Sequence, residues 1–165
     1  MAVRSLETEK QDVLGADANQ YLTFSLGNEE YGVDILKVQE IKGYTVTTRI
    51  PNSPHDVVGV LNLRGTIVPI VDLRRKFGLD TVEYDQFTAV VVMVVQNRVM
   101  GMIVDSVSEV MNIPASSVQP PPDFGGIRSN MLQGMAKMGE KFITLLDIDA
   151  VLAEECGAAT LAMAA

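Results

Sequence analysis

From Tyr21 onward the apolar positions alternate with polar ones at the period of a strand. In Tyr21-Leu22-Thr23-Phe24-Ser25-Leu26 the residues Leu22, Phe24 and Leu26 fall on one face and Thr23 and Ser25 on the other. Gly27-Asn28 is a turn signal, and Glu30-Tyr31-Gly32-Val33 returns. Asp34 is placed to cap a short helical turn over Ile35-Leu36-Lys37-Val38. Pro51, Ser53 and Pro54 mark a loop. Val57 to Leu63 reads as a strand, Arg64-Gly65 as a turn, and Ile67-Val68-Pro69-Ile70-Val71 as the return. Pro69 inside that run argues for an edge strand or a bulge. Asp72 then caps Leu73-Arg74-Arg75-Lys76-Phe77, with Gly78 just past its end. Residues 1–18 show no apolar period and read as a flexible tail.

The second half repeats the first. At an offset of 69, Val90 to Gly101 falls on Tyr21 to Gly32, Asn97 on Asn28, Val107 on Val38, Glu109 on Glu40 and Val110 on Ile41. Apolar residues recur at 35, 38 and 41, and again at 104, 107 and 110. Later the offset becomes 75, so that Gly134 falls on Gly59, Asp147 on Asp72 and Ile148 on Leu73. The chain therefore reads as two copies of one β unit, about 21–79 and 90–152, each with about five short strands. Such a unit hides its edges by closing, which points to two small fused β-barrels sharing a core. The expected division is a tail over 1–18, one domain over 19–152 with lobes of about 21–86 and 87–152, and a C-terminal helix end and tail over 153–165. Pro120-Pro121-Pro122 to Gly126 is a stiff loop inside the second copy.

Composition removes whole classes of function. Of 165 residues, 47% are apolar and 21% charged, enough to build a core. The run from Phe87 to Val95 is shorter than the roughly 20 residues that cross a bilayer as a helix, and the N-terminus has no apolar secretory stretch. The net charge of −8, with no basic cluster longer than Arg74-Arg75-Lys76, argues against nucleic acid and anionic lipid. A single cysteine, Cys156, makes no internal disulfide and fits a reducing cytoplasm.

Candidate chemistry is sparse. No phosphate-cradling glycine motif occurs. One Cys and one His do not make a zinc site. Asp147-x-Asp149 lacks the loop glycine and distal glutamate of a calcium loop, and reads as an acidic helix start. His55 follows Pro54 in a polar loop, and Cys156 has no basic neighbour to stabilise a thiolate. Asp72 and Asp147 are equivalent repeat positions and read as two structural caps rather than an acid/base pair. No catalytic residue, metal or cofactor is expected. The informative residues are those that break the repeat. Arg64 stands at a turn tip where the second copy has Gly139, and its guanidinium suits a partner carboxylate or carbonyl. Met93 and Met102 read as core, while Met111, Met131, Met135 and Met138 are candidates for an adaptable contact surface.

Two stretches carry a family resemblance: Tyr31-Gly32-Val33-Asp34-Ile35-Leu36-Lys37-Val38-Gln39-Glu40-Ile41, and Gly59-Val60-Leu61-Asn62-Leu63-Arg64-Gly65-Thr66-Ile67-Val68-Pro69-Ile70-Val71-Asp72-Leu73-Arg74. With Gly101-Met102-Ile103-Val104-Asp105-Ser106-Val107 and Leu145-Leu146-Asp147-Ile148, they resemble the CheW-like family of bacterial chemotaxis, over about residues 19–152. The chain has no room for a kinase or phosphate-receiver domain. The resemblance implies two SH3-like five-stranded barrels and a non-enzymatic cytoplasmic adaptor, without cofactor. It implies as partners the regulatory domain of the histidine kinase CheA and the cytoplasmic hairpin tip of methyl-accepting chemoreceptors, whose arrays recruit the protein to the inner face of the membrane. Carried over by motif, the receptor-binding residues are Val38, Glu40, Ile41 and Arg64, with Val107 and Val110 from the other lobe. The kinase contacts stay unassigned. Two other readings stay open: a coupling protein of a non-flagellar chemosensory system, and a small-molecule carrier using the groove between the lobes.

Overall fold

Eleven strands form two sheets in the computed structural model, which describes residues 19–51, 57–79, 83–120 and 131–153. The expected N-terminal tail, His55, Cys156, the Pro121 to Gly126 loop and the chain beyond 153 lie outside these residues. In chain order the strands are β1 (Asn19–Leu26), β2 (Glu29–Asp34), β3 (Val38–Gly43), β4 (Val57–Leu63), β5 (Thr66–Asp72), β6 (Ala89–Val95), β7 (Arg98–Val104), β8 (Ser106–Ile113), β9 (Val118–Gln119), β10 (Leu132–Met138) and β11 (Lys141–Leu146). Two one-turn helices, α1 (Leu73–Lys76) and α2 (Ile148–Val151), follow β5 and β11, and a 3-10 turn spans Ile35–Lys37. Both offsets of the repeat hold. The later one carries β4 and α1 onto β10 and α2 end for end, and the earlier one carries the start of β2 onto that of β7. Asp72 and Asp147 cap the two helices, their carboxylates accepting from the backbone N–H of Arg74 and of Ala150.

The sheets exchange their hairpins. One runs β8-β1-β2-β11-β10-β9, the other β3-β6-β7-β5-β4. The first hairpin of each copy thus completes the sheet built by the later strands of the other copy, so the hydrogen-bonded lobes do not follow the contiguous split at 86/87. Parallel seams make the exchange: Leu145 opposite Gly32, and its repeat equivalent Ile70 opposite Gly101. A Cβ on Gly32 would stand 3.0 Å from Leu145 Cδ2, and one on Gly101 would stand 2.6 Å from Ile70 Cδ1. Both copies keep glycine there because a side chain from the crossing strand fills the space.

Each sheet is drawn round by a short bridge. Thr48 pairs with Val60 of β4, and Gln119 of β9 pairs with Met135, the equivalent of Val60. The backbone approaches closely at the neighbouring glycines: a Cβ on Gly59 would lie 2.4 Å from the Thr48 carbonyl oxygen, and one on Gly134 would lie 2.7 Å from that of Gln119. Pro69 does not lie on an edge, since β5 sits between β7 and β4. The β7 seam begins at Ile70, just past the missing amide.

The core has three parts. A large shared cluster between the sheets contains Leu22, Phe24, Leu26, Val38, Val91, Met93 and Met102. Smaller clusters fill each lobe, around Ile70, Val90 and Val92 in one and around Tyr21, Ile143 and Leu145 in the other. Strand β6 feeds two of them, Val91 and Met93 on one face and Val90 and Val92 on the other. It therefore reads as a continuous apolar run and not an alternating one.

Candidate functional site

Strands β3 and β8 are equivalent in the repeat and carry five of the six residues expected at the receptor surface. Each strand bulges at the same place. The register of β3 against β6 skips from Val38 to Glu40, and that of β8 against β1 skips from Val107 to Glu109. One extra residue in a strand shifts the alternation of side chains. Val38 and Ile41 therefore share a face despite their odd spacing, as do Val107 and Val110. This is the physical origin of the three-residue apolar period, which by itself resembles a helix. Ile41, Val107 and Val110 pack half-buried against the shared core. Thr23 fixes the β8 bulge, its hydroxyl donating to the Glu109 carbonyl at 2.9 Å and accepting from the Glu109 N–H at 3.2 Å.

Val38 departs from expectation. It is expected among the receptor-binding residues, yet it is 0% exposed and one of the shared-core residues. It can act on a partner only from beneath, through its neighbours on β3.

Glu40 and Arg64 are brought together. Arg64 Nη2 donates to Glu40 Oε2 at 2.7 Å, with the arginine side chain 81% exposed and the glutamate 26%. The arginine stands on the β4–β5 turn, where Asn62 Oδ1 accepts the Gly65 N–H at 2.8 Å. Its φ is 53°, and that of its equivalent Gly139 is 67°. A left-handed conformation costs a residue with a Cβ about 1–2 kcal/mol, so the turn would fold more readily with glycine. A strained arginine, exposed and held by a carboxylate of the neighbouring strand, is the feature of this surface that stability alone does not account for.

The described methionines divide between buried and partly buried positions. Met93, Met100 and Met102 are buried, as expected for the first and last. Met131 packs on the shared core, whereas Met111 and Met138 pack on the core of the six-stranded lobe.

One cluster has no counterpart in the sequence reading. Arg74 is 1% exposed and makes a bidentate ion pair with the fully buried Asp72, Nε to Oδ1 at 3.0 Å and Nη2 to Oδ2 at 3.1 Å. Its Nη1 donates to Asp105 Oδ1 at 3.1 Å and to the Glu83 carbonyl. Tyr84 covers the guanidinium at 4.9 Å and stacks on Tyr44 at 4.1 Å. Burial alone would lower the Arg74 pKa, but the hydrogen bonds and charges of Asp72 and Asp105 hold it above the ordinary value. Each guanidinium nitrogen of Arg74 has a partner within the protein, which makes the cluster structural. The only trace of it in the sequence is that Arg74 falls opposite Asp149, a break in the repeat. Beside it lies a shallow acidic cleft lined by Gly27, Glu83, Asp85, Phe87 and Asp105. Among the described residues no group of three His, Cys, Asp or Glu side chains is placed to hold a metal ion, and no helix is long and apolar enough to cross a membrane.

Comparison with known proteins gives these strands a context. The family profile described as CheW-like domain matches residues 20–156. The chain is 48% identical over 137 residues to the chemotaxis protein CheW of Klebsiella aerogenes, covering 82% of each chain. It is 27% identical over 135 residues to protein FrzA of Myxococcus xanthus, covering 81% of this chain and 84% of that one. Among solved structures it superimposes on the scaffolding protein TtCheW of Thermoanaerobacter tengcongensis with a TM-score of 0.76 and 32% identity, over 82% of this chain and 88% of that one.

Proposed function

The chain belongs to the CheW-like domain family, and from that premise we propose that it is a non-enzymatic adaptor of bacterial chemotaxis. It couples methyl-accepting chemoreceptors to the histidine kinase CheA and helps assemble their array. The receptor's helical hairpin tip rests against β3 and β8. Helix recognition of this kind uses apolar anchors bordered by charges. Ile41, Val107 and Val110 are the anchors, Glu40 and Arg64 are the bordering charges, and Val38 supports β3 from the core. Binding to receptors holds the adaptor at the inner face of the membrane.

The observation that carries this reading is the Arg64–Glu40 pair. Gln96 also stands at positive φ where the other copy has glycine, but its side chain is used inside the fold, on Asp149; the Arg64 guanidinium is instead left 81% exposed with one carboxylate to aim it, and so is available to a partner. The bound adaptor adds no chemistry. It holds kinase and receptor in one assembly, so that a receptor conformational change biases the kinase equilibrium through contacts that differ between the two states. A pull-down with the kinase regulatory domain and a receptor hairpin fragment tests the partners directly. Capture of both in one complex is expected, and capture of neither by the folded protein contradicts the proposal.

A further inference from the structure

Arg74 on α1 and Asp149 on α2 occupy equivalent positions of the repeat, and they carry opposite charge. Each nevertheless does the same job. Arg74 reaches Asp105, just after the second copy's hairpin, and Asp105 Oδ2 accepts the Gly27 N–H of the β1–β2 turn at 2.7 Å. Asp149 reaches Lys37, just after the first copy's hairpin, at 2.9 Å, and Asp149 Oδ1 accepts the Gln96 N–H of the β6–β7 turn at 3.2 Å. Gly27 and Gln96 are themselves equivalent under the earlier offset. Each exchanged hairpin is thus fastened by an ion pair to the helix of the other copy, with acid and base trading places. The two junctions differ in the burial of the base: Arg74 is 1% exposed and Lys37 42%, while the acids Asp105 and Asp149 are alike at 35% and 36%.

We propose that Lys37 and Asp149 form a positioning pair that holds the start of β3 against the second copy's helix, as the adjustable counterpart of the buried Arg74 junction. Lys37 ends the Ile35–Lys37 turn, and the next residue, Val38, begins the strand that carries Glu40 and Ile41. The amide of Val38 closes that turn by donating to the Ile35 carbonyl, so a displacement of Lys37 passes directly into β3. Asp149 is a firm anchor for it, because Gln96 holds both its carboxylate and, through Nε2, its carbonyl oxygen at 3.4 Å. An exposed pair contributes little to global stability and is screened by salt, which suits local positioning. For its effect on binding, the inference rests on the reading of β3 as receptor-facing.

The test is amide hydrogen exchange on the full-length protein, comparing residues 36–43 with β4 and β5. Lys37→Met, Asp149→Asn and the double variant should each raise exchange in 36–43 about two- to fivefold. The double variant should be no worse than either single one. Asp149→Asn keeps an oxygen for Gln96 and removes only the charge. Lys37→Arg should match the parent, and raising the salt should move the parent toward the variants. Unchanged exchange over 36–43, or a uniform rise across both sheets, overturns the proposal. Binding of a receptor hairpin fragment is measured on the same samples and should weaken by a similar factor. If β3 loosens and binding holds, the positioning pair stands and β3 is not the receptor surface.

Discussion

Arg64 Nη2 donates to Glu40 Oε2 at 2.7 Å, tying the tip of the β4–β5 turn to β3. With four-fifths of the arginine side chain in solvent, such a pair adds no more than about 1 kcal/mol to folding, while the backbone at Arg64 costs about 1–2 kcal/mol. The pair offsets the strain at most in part, so the arginine brings the fold no net stability, and the pair fixes the direction of a guanidinium at the surface.

The first prediction separates these terms. Arg64→Ala removes the pair and keeps the strained backbone, so it should cost no more than about 1 kcal/mol. Arg64→Gly also removes the strain, as at Gly139, and should melt at or above the alanine variant. Urea unfolding of both reads the difference. A glycine variant far less stable than the alanine variant would show that the turn relies on the arginine.

Val38→Met adds volume to a site with no free surface, and overpacking of this kind costs about 1–3 kcal/mol. Receptor binding should fall together with stability, because Val38 acts through the strand it supports. Lost binding at unchanged stability would place its side chain at the interface itself.

Buried charges should behave very differently from the Arg64 pair. Arg74→Met leaves the enclosed Asp72 carboxylate without its bidentate partner, which should cost about 3–5 kcal/mol. Replacing both, Asp72→Asn with Arg74→Met, should recover part of that loss. A double-mutant cycle on unfolding free energies measures it, and strict additivity would refute a coupled pair.

Alkaline pH should loosen the fold. Burial, with the charge of Glu29 at Tyr31 and of Asp72 at Tyr84, pushes both phenols above their ordinary value of 10.0, and the hydrogen bond and charge of Asp149 push Lys37 above 10.5. Groups raised in the folded state contribute stability that is present below their unfolded values and lost as pH rises through the folded ones. The melting temperature should therefore be flat up to about pH 10 with respect to these groups and fall above it. Tyrosinate absorbance followed through the same range should lag behind that of the unfolded chain.

Much of this architecture is legible in the sequence, and what is not has definite causes. The offsets of 69 and 75 place the strands, and the paired glycines 32/101 and 59/134 mark the crossings and bulges. The exchange of hairpins is hidden because the two copies present the same pattern, so either hairpin suits either sheet. The burial of Val38 is hidden because the bulge at Gln39 alters which residues face inward, and nothing local announces a bulge. The Arg74 cluster draws on Asp105 and Tyr84, and a basic run gives no sign of which member is buried. Arg64 and Glu40 are expected from the family resemblance as separate receptor contacts, and their mutual bond exists only in three dimensions.

The most direct measurement is receptor-dependent kinase activation in a reconstituted complex of this protein, CheA and a receptor fragment, with Arg64→Ala, Arg64→Gly and Arg64→Glu read beside their melting curves. The account predicts that all three are folded and still bind the kinase, that activation falls by the equivalent of about 1–3 kcal/mol of receptor binding for alanine and glycine, and that it falls further for glutamate. Activation equal to the parent's in all three, with unchanged melting, would contradict it.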